Sequence, residues 1–372
     1  MDKIKLIDIC NPKQWKTIAT SQLLDDGKFP VYGANGIIGY YNEFNHEDTT
    51  VLITCRGATC GNVHISIPKS YINGNAMALD NLNEKLCLKE YLYYFLNYYD
   101  MTKIISGSAQ PQITIQGLKK IYVKVYSIEE QKNIIKILNK IKKVIDLKEK
   151  QVTNLDNIIK SQFVEMFGTE KDTKYNTKTL IEIAKKEPNS IKRGPFGGSL
   201  KKEDFVADGY LVYEQRHAIH NDFEYEKYYI TEEKYKDMQM FKVKPKDLLI
   251  SCSGVTLGKI AEVPKNAKKG IINQALLKIT LDSNIMNNIY FIQYFRSDEV
   301  QEKLFSFSRG SGIPNFPSMN EVKKIRFICP PIELQNKFAE FVKQIDKQKF
   351  EIENSLKEMQ KLYESLMEKY FG

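Results

Sequence analysis

Gly254-Val-Thr-Leu-Gly-Lys259 has the composition of a loop that cradles a phosphate, with glycines to admit the anion and a lysine to neutralise it. A nucleoside-triphosphate loop places four residues between its glycines and a Ser or Thr after the lysine to hold Mg2+. Here three residues intervene and Ile260 follows, which excludes that chemistry. Asn11-Pro12-Lys13-Gln14 lacks the second proline and the aromatic ring of the N-P-P-Y motif of amino-methyltransferases. No G-x-G-x-x-G opens a helix for a dinucleotide or S-adenosylmethionine, no G-x-S-x-G elbow presents a nucleophile, and no Asp/Glu set has metal-site spacing. His217 and His220 have no Glu or Cys partner at ligand spacing. The six cysteines (Cys10, Cys55, Cys60, Cys87, Cys252, Cys329) form no C-x-x-C pair, so they are expected to be reduced and mostly buried. The catalytic site residues and metal ligands expected of this chain are therefore none.

What remains is a set of amide-rich, basic and aromatic loop residues suited to reading base edges, where Arg pairs with guanine and Asn or Gln with adenine. In the first half these are Tyr32, Asn35, Tyr41, Arg56, Gln110 and Gln112. In the second half they are Lys192, Arg193, Gln215, Arg216, Ser253, Lys259, Arg309 and Asn315. Gly-rich stretches such as Arg193-Gly-Pro-Phe-Gly-Gly-Ser-Leu-Lys-Lys202 let the backbone approach a phosphate while the flanking cations neutralise it. Lys plus Arg number 55 against 46 for Asp plus Glu, a net charge of +9 that favours a polyanionic partner. His217 and His220 are read as loop or DNA-facing residues.

The elements that must hold these loops appear in duplicate. Ile121 to Gly168 aligns without a gap to Ile325 to Gly372, with Ile128, Glu129 and Gln131 matching Ile332, Glu333 and Gln335, and both copies ending in Phe-Gly. Leu52-Ile-Thr-Cys-Arg-Gly-Ala-Thr-Cys-Gly61 likewise matches Leu249-Ile-Ser-Cys-Ser-Gly-Val-Thr-Leu-Gly258, and Gly107-Ser-Ala-Gln-Pro-Gln-Ile113 resembles Gly310-Ser-Gly-Ile-Pro-Asn-Phe316. Each copy is thus a globular region followed by a long helix.

Steps of four and three from Ile134 meet Leu138, Ile141, Ile145, Lys148, Val152, Leu155, Ile159, Gln162 and Met166. The same steps from Phe338 meet Val342, Ile345, Lys349, Ile352, Leu356, Met359, Tyr363, Leu366 and Tyr370. Both are coiled-coil seams on helices expected from about Ile128 to Phe167 and Ile332 to Phe371, each about 60 Å long at roughly 1.5 Å per residue. A pseudo-two-fold relation between the copies makes the pair antiparallel. In the globular regions, runs such as Thr50-Val-Leu-Ile-Thr-Cys55 and Asp247-Leu-Leu-Ile-Ser-Cys252 read as strands between turn residues. Lys89 to Asp100 and Asn288 to Val300 read as one buried aromatic helix per copy. The fold class is therefore α+β.

A length of 372 residues allows two to three folding units, and 42% hydrophobic with 27% charged residues describes a soluble globular chain. The charged start Met1-Asp-Lys-Ile-Lys5 is unlike a signal peptide, and no run reaches the 18 apolar residues of a membrane span, so a cytoplasmic protein with no membrane partner is expected.

The pieces Ile191 to Phe205, Leu248 to Pro264, Arg309 to Phe316 and Pro330-Pro-Ile-Glu-Leu-Gln335, in duplicated order, resemble the DNA-specificity subunit of type I restriction-modification systems over essentially the whole chain. The first copy departs from the pattern where Ser127 stands opposite Pro331, and its stretch before Phe29 lacks the R-G-P-F-G segment. The resemblance implies a first target-recognition domain over 1–120 and a second over 169–324, each reading one half of a bipartite double-stranded DNA target. It implies coiled-coil helices over 121–168 and 325–372 that space the domains and dock two modification subunits. Those partners would carry S-adenosylmethionine and methylate adenine at N6, and restriction subunits could add ATP-driven cleavage. This chain itself would hold no cofactor and perform no catalysis. The alternative is a self-contained DNA methyltransferase or nuclease, against which the missing motifs count.

Overall fold

The computed structural model describes residues 2–34, 36–107, 110–169, 171–196, 198–254, 256–306 and 316–372. The chain divides into two compact units, one made of Met1–Lys150 with Glu353–Gly372 and the other of Gln151–Ile352.

The first unit is built on a four-stranded antiparallel sheet in the order Asn11–Gln14, Ala76–Asp80, Val51–Thr54, Val63–Ile65. All four residues of Val51–Thr54 are buried, as expected of a central strand covered on both faces. Beside it, Phe29–Gly33 pairs antiparallel with Gly36–Tyr41 and parallel with Tyr71–Ile72. The second unit repeats the larger sheet in the order Ile191–Arg193, Leu276–Ile279, Leu248–Ser251, Ile260–Glu262. Its smaller sheet centres on Tyr210–Tyr213 and parallel Gly270–Ile272, flanked by Tyr229–Ile230 and Lys242–Val243. A two-stranded ribbon precedes each long helix: Asp2–Lys5 with Tyr122–Val125, and Thr177–Thr179 with Arg326–Ile328.

Each larger sheet is covered by an aromatic helix. Lys89–Tyr98 buries Tyr91, Leu92, Tyr94, Phe95 and Leu96, and Asn288–Phe295 buries Tyr290, Phe291, Ile292, Tyr294 and Phe295. The expectation of one continuous helix over Asn288 to Val300 is corrected, because a second helix, Asp298–Ser306, starts after a break at Arg296 and Ser297. Ser297 followed by Asp298 and Glu299 is a strong helix-start sequence, with an oxygen to take up orphan N–H groups and acids on the first turn. The Ser297 hydroxyl indeed accepts from the Val300 N–H at 3.5 Å.

The long helices run over Ile128–Phe167 and Ile332–Phe371, the ends expected from the repeat. Ser127 starts the first with a reciprocal cap: its N–H and hydroxyl donate to Glu130 Oε2 at 3.0 and 2.6 Å. Every seam residue from Ile134 to Met166 and from Phe338 to Tyr370 is buried or half-buried. In the first unit the early residues Ile134 and Leu138 share a core with the late residues Met367 and Phe371. In the second unit the late residues Ile159, Phe163 and Phe167 share a core with Phe338, Val342 and Ile345 at the start of the other helix. The seams therefore close with the helices running in opposite directions, an antiparallel coiled coil.

The repeated Phe-Gly ending has a packing cause. Phe167 sits 4.9 Å from the Tyr290 ring and 5.5 Å from Phe338, while Phe371 sits 5.3 Å from Tyr91 and 6.2 Å from Phe95. Each long helix thus ends with an aromatic side chain inside the core built by the other sequence copy, a burial that contributes roughly 1.5–3 kcal/mol. Gly168 then takes a left-handed φ of 74°, and its N–H donates to the Val164 carbonyl at 2.8 Å, closing the helix.

The repeated E-x-Q start also has a cause. Gln131 is fully buried; its Oε1 accepts from the Leu88 N–H at 2.8 Å, and its Nε2 donates to the Leu86 and Tyr126 carbonyls, each at 2.8 Å. Gln335 repeats this set with the Asn287 N–H at 2.9 Å and the Ile285 and Pro330 carbonyls at 2.9 and 2.8 Å. One carboxamide per copy therefore joins the start of the long helix to the start of the aromatic helix that packs on the sheet.

Candidate nucleic-acid interface

The two matched glycine loops are built identically on their sheets. Cys55 and Cys252 donate their N–H groups to the carbonyls of Asn75 and Ala275 at 3.0 and 2.9 Å. Gly61 and Gly258 close the loops by donating to Thr54 and Ser251, both at 2.9 Å. Gly57 and Gly254 have φ of 90° and 75°, and the space beside each α-carbon is open. Only glycine adopts this backbone without strain, and the open side leaves the loop crest approachable by a bulky ligand. That accounts for the repeat of Cys-x-Gly while the residue between is free to differ, Arg56 in one copy and Ser253 in the other.

The loop cysteines are not reactive groups. Both are fully buried, and burial pushes the Cys252 thiol up to about 12 and raises that of Cys55. Among the described residues no group of three or more His, Cys, Asp or Glu side chains is arranged to hold a metal, and no helix is long and apolar enough to cross a membrane.

The described residues just after the Gly-Ser-x-x-Pro segments pair with these loops. Ile113 and Phe316 donate their N–H groups to the carbonyls of Cys55 and Cys252 at 3.0 and 3.3 Å. In the first unit this brings Gln112 into a bridge with Arg56, and Gln110 is exposed on the same return. The hydroxyls of Thr54 and Thr59 donate to the Ala34 carbonyl at 2.7 and 2.8 Å, holding the turn after Tyr32 against the loop. Arg56, Gln110 and Gln112 therefore form one exposed cluster. Tyr41 is half-buried with its ring 5.9 Å from Tyr71. Tyr32 is buried, its hydroxyl accepting from the Ile67 N–H at 3.2 Å. Asn35 lies outside the described residues, as do Arg309 and Asn315 of the second half.

In the second unit Arg193 Nη2 donates to the Cys252 carbonyl and Nε to the Gln274 carbonyl, both at 3.4 Å, and Phe316 lies 6.0 Å from the guanidinium. The Ser253 hydroxyl donates to Gln215 Oε1 at 3.3 Å. Arg193, Gln215 and Ser253 are thereby gathered about the loop, and Lys259 is exposed at its end. Lys192 points to the opposite face of its strand, with Nζ 5.0 Å over the Phe241 ring. Arg216 is exposed, 3.6 Å from Asp222 and stacked 4.4 Å over Tyr225.

His217 corrects an expectation. It lies in the short helix Gln215–His220 and is buried, its Nδ1 accepting from the Glu214 N–H and its Nε2 donating to the Tyr225 carbonyl, both at 2.9 Å. Both ring nitrogens are consumed inside the protein, so it faces no ligand; His220 alone is exposed. Phe196, absent from the residues expected above, is 64% exposed beside Arg193 in the Gly-rich segment, and its signal in the amino-acid sequence is an aromatic residue between Pro195 and a glycine.

The chain matches the family model for the type I restriction modification DNA specificity domain over residues 1–157 and 173–360. It is 31% identical over 112 residues to the specificity subunit of the type I restriction enzyme EcoprrI of Escherichia coli, 30% of this chain and 27% of that one. To the type I restriction enzyme MjaIX specificity subunit of Methanocaldococcus jannaschii it is 22% identical over 340 residues, 86% of this chain and 76% of the other. The E. coli match thus spans well under two thirds of that relative. The fold is that of the type I restriction-modification S subunit from M. genitalium, with a TM-score of 0.62 at 16% identity, covering 100% of this chain and 96% of that one. With nearly the whole chain matched, in two successive stretches, this protein belongs to the type I restriction-modification DNA specificity family.

Proposed function

We propose that the chain addresses a type I restriction-modification complex to double-stranded DNA, each unit reading one half of a bipartite sequence. The observation that carries this reading is the pair of identically framed glycine loops, each ringed by different side chains: Arg56, Gln110 and Gln112 in one, Arg193, Gln215, Ser253 and Lys259 in the other. A common frame with different polar groups is what two different half-sites require. Asn35, Tyr41, Arg216, Arg309 and Asn315 extend the contact set, Lys192 supplies charge near it, and Tyr32 supports the first turn from within the core. The target-recognition domains extend over 1–120 and 169–324, and the helical segments over 121–168 and 325–372.

The partners of this reading are two modification subunits that carry S-adenosylmethionine and methylate adenine at N6, with restriction subunits that use ATP joining them in the cytoplasm. The chain itself supplies addressing and holds no cofactor.

The test is incubation of the purified chain with DNA and S-adenosylmethionine, with and without a modification subunit. Adenine methylation at one bipartite sequence is expected only in the complete mixture. Methyl transfer or cleavage by the chain alone would overturn the assignment.

A further inference from the structure

The first half has no Arg-Gly-Pro-Phe-Gly segment, yet its sheet supplies a residue in the place of Arg193. Gln14 stands opposite Met77 on its ladder, and Arg193 stands opposite Leu277. Met77 and Leu277 are themselves equivalent, since they face Ile53 and Ile250, which precede the two glycine loops by the same interval. The side chains make matching contacts. Gln14 Nε2 donates to Cys55 Sγ at 3.0 Å and to the Gly74 carbonyl at 3.1 Å; Arg193 donates to the Cys252 and Gln274 carbonyls at 3.4 Å. The preceding residue is lysine in both copies and lies over an aromatic ring in both, Lys13 at 3.6 Å from Trp15 and Lys192 at 5.0 Å from Phe241.

We infer that Gln14 faces the DNA in the first unit where Arg193 does in the second, as a neutral contact in the place of a phosphate-binding cation. This rests on the DNA-addressing function proposed above. Gln14 is exposed, and both of its contacts use the amide nitrogen, leaving Oε1 as an acceptor for a hydrogen-bond donor. Arg193 makes two long hydrogen bonds and keeps further N–H groups and a full charge for a phosphate oxygen. The two halves therefore grip the backbone unequally at this position, and the missing charge can be put back.

The experiment measures affinity of the assembled complex for a duplex carrying its own methylated sequence, between about 50 and 200 mM salt. Each phosphate contact contributes about 0.9 to the slope of log affinity against log salt, so losing one changes the affinity ratio across this fourfold range by about 3.5-fold. Arg193→Gln is expected to make the slope shallower by that amount, Gln14→Arg to make it steeper, and the double exchange to restore the original slope. Gln14→Lys, which adds the charge without the guanidinium fork, serves as the second variant and should steepen the slope equally. If both Gln14 variants leave the slope unchanged while Arg193→Gln lowers it, Gln14 does not face the DNA and the inference fails. An unchanged slope for Arg193→Gln removes the phosphate role at both places. Absence of any sequence-selective binding by the unaltered complex would instead overturn the DNA-addressing function itself.

Discussion

Replacing Gln335 by Leu lowers the stability of the second unit by about 3–5 kcal/mol, because each buried backbone group stripped of its partner costs about 1–3 kcal/mol. Three groups lose this partner at once: the Asn287 N–H and the Pro330 carbonyl, and the Ile285 carbonyl, which keeps only a weak bond from the Cys329 thiol at 3.6 Å. Gln335 is fully buried, so water does not stand ready to replace the carboxamide, and the added apolar contact of Leu offsets only part of the loss. Changing to Glu is no remedy, since a carboxylate can still accept from Asn287 but meets two carbonyl oxygens with no proton to offer. Hydrogen exchange gives the local readout. The Asn287 amide should lose protection in Gln335→Leu, and the Leu88 amide should lose it in Gln131→Leu, where the same three-way clamp is cut in the first unit. A urea midpoint and Asn287 protection both unchanged in Gln335→Leu would show that the clamp is not what joins the long helix to the aromatic helix.

Exchanging residues 11–113 for the matching segment of another specificity subunit rewrites one half of the methylated sequence completely and leaves the other half as it was. The segment contains the whole larger sheet of the first unit, its glycine loop and the return segment that carries Gln110 and Gln112. It omits the clamp residue Gln131 and the ribbon strand Tyr122–Val125, so the long-helix side of the seat stays native, and the incoming segment supplies the backbone groups that Gln131 binds. The boundary matters. A transplant beginning at Phe29 would leave Asn11–Gln14 to pair with a foreign strand in place of Ala76–Asp80 and would break the contact of Gln14 with Cys55. The shorter exchange should therefore assemble poorly, while the complex built on the longer one is expected to methylate a hybrid target efficiently. Methylation-sensitive sequencing reads the outcome directly. A change in both halves would refute the division of labour between units, and no change in either would place the base readers outside residues 11–113.

Features carried by local, repeated patterns are legible in the amino-acid sequence. The long helices declare their ends because a 3.5-residue apolar period persists through each one, a Ser127 cap or a Pro331 turn precedes each, and Phe-Gly follows. The glycine loops are legible because left-handed backbone at Gly57 and Gly254 forces the same residue type in both copies. The aromatic helices are legible as buried, but their continuous apolar appearance hides the break at Ser297.

The duplication, the α+β class, the antiparallel seams and the loops from which a binding site is made can all be read along the chain, because each depends on periodicity or on backbone conformation within a few residues. Which side chains surround those loops cannot. Strand pairing made Gln14 the counterpart of Arg193 although their neighbourhoods share little beyond one lysine. Packing against Tyr225 took His217 out of contention, and folding back over more than forty residues turned Gln131 from a polar helix residue into a clamp on Leu88. Such partners are set by register and burial between segments remote in the chain, and a side chain's type and its local spacing carry no record of either.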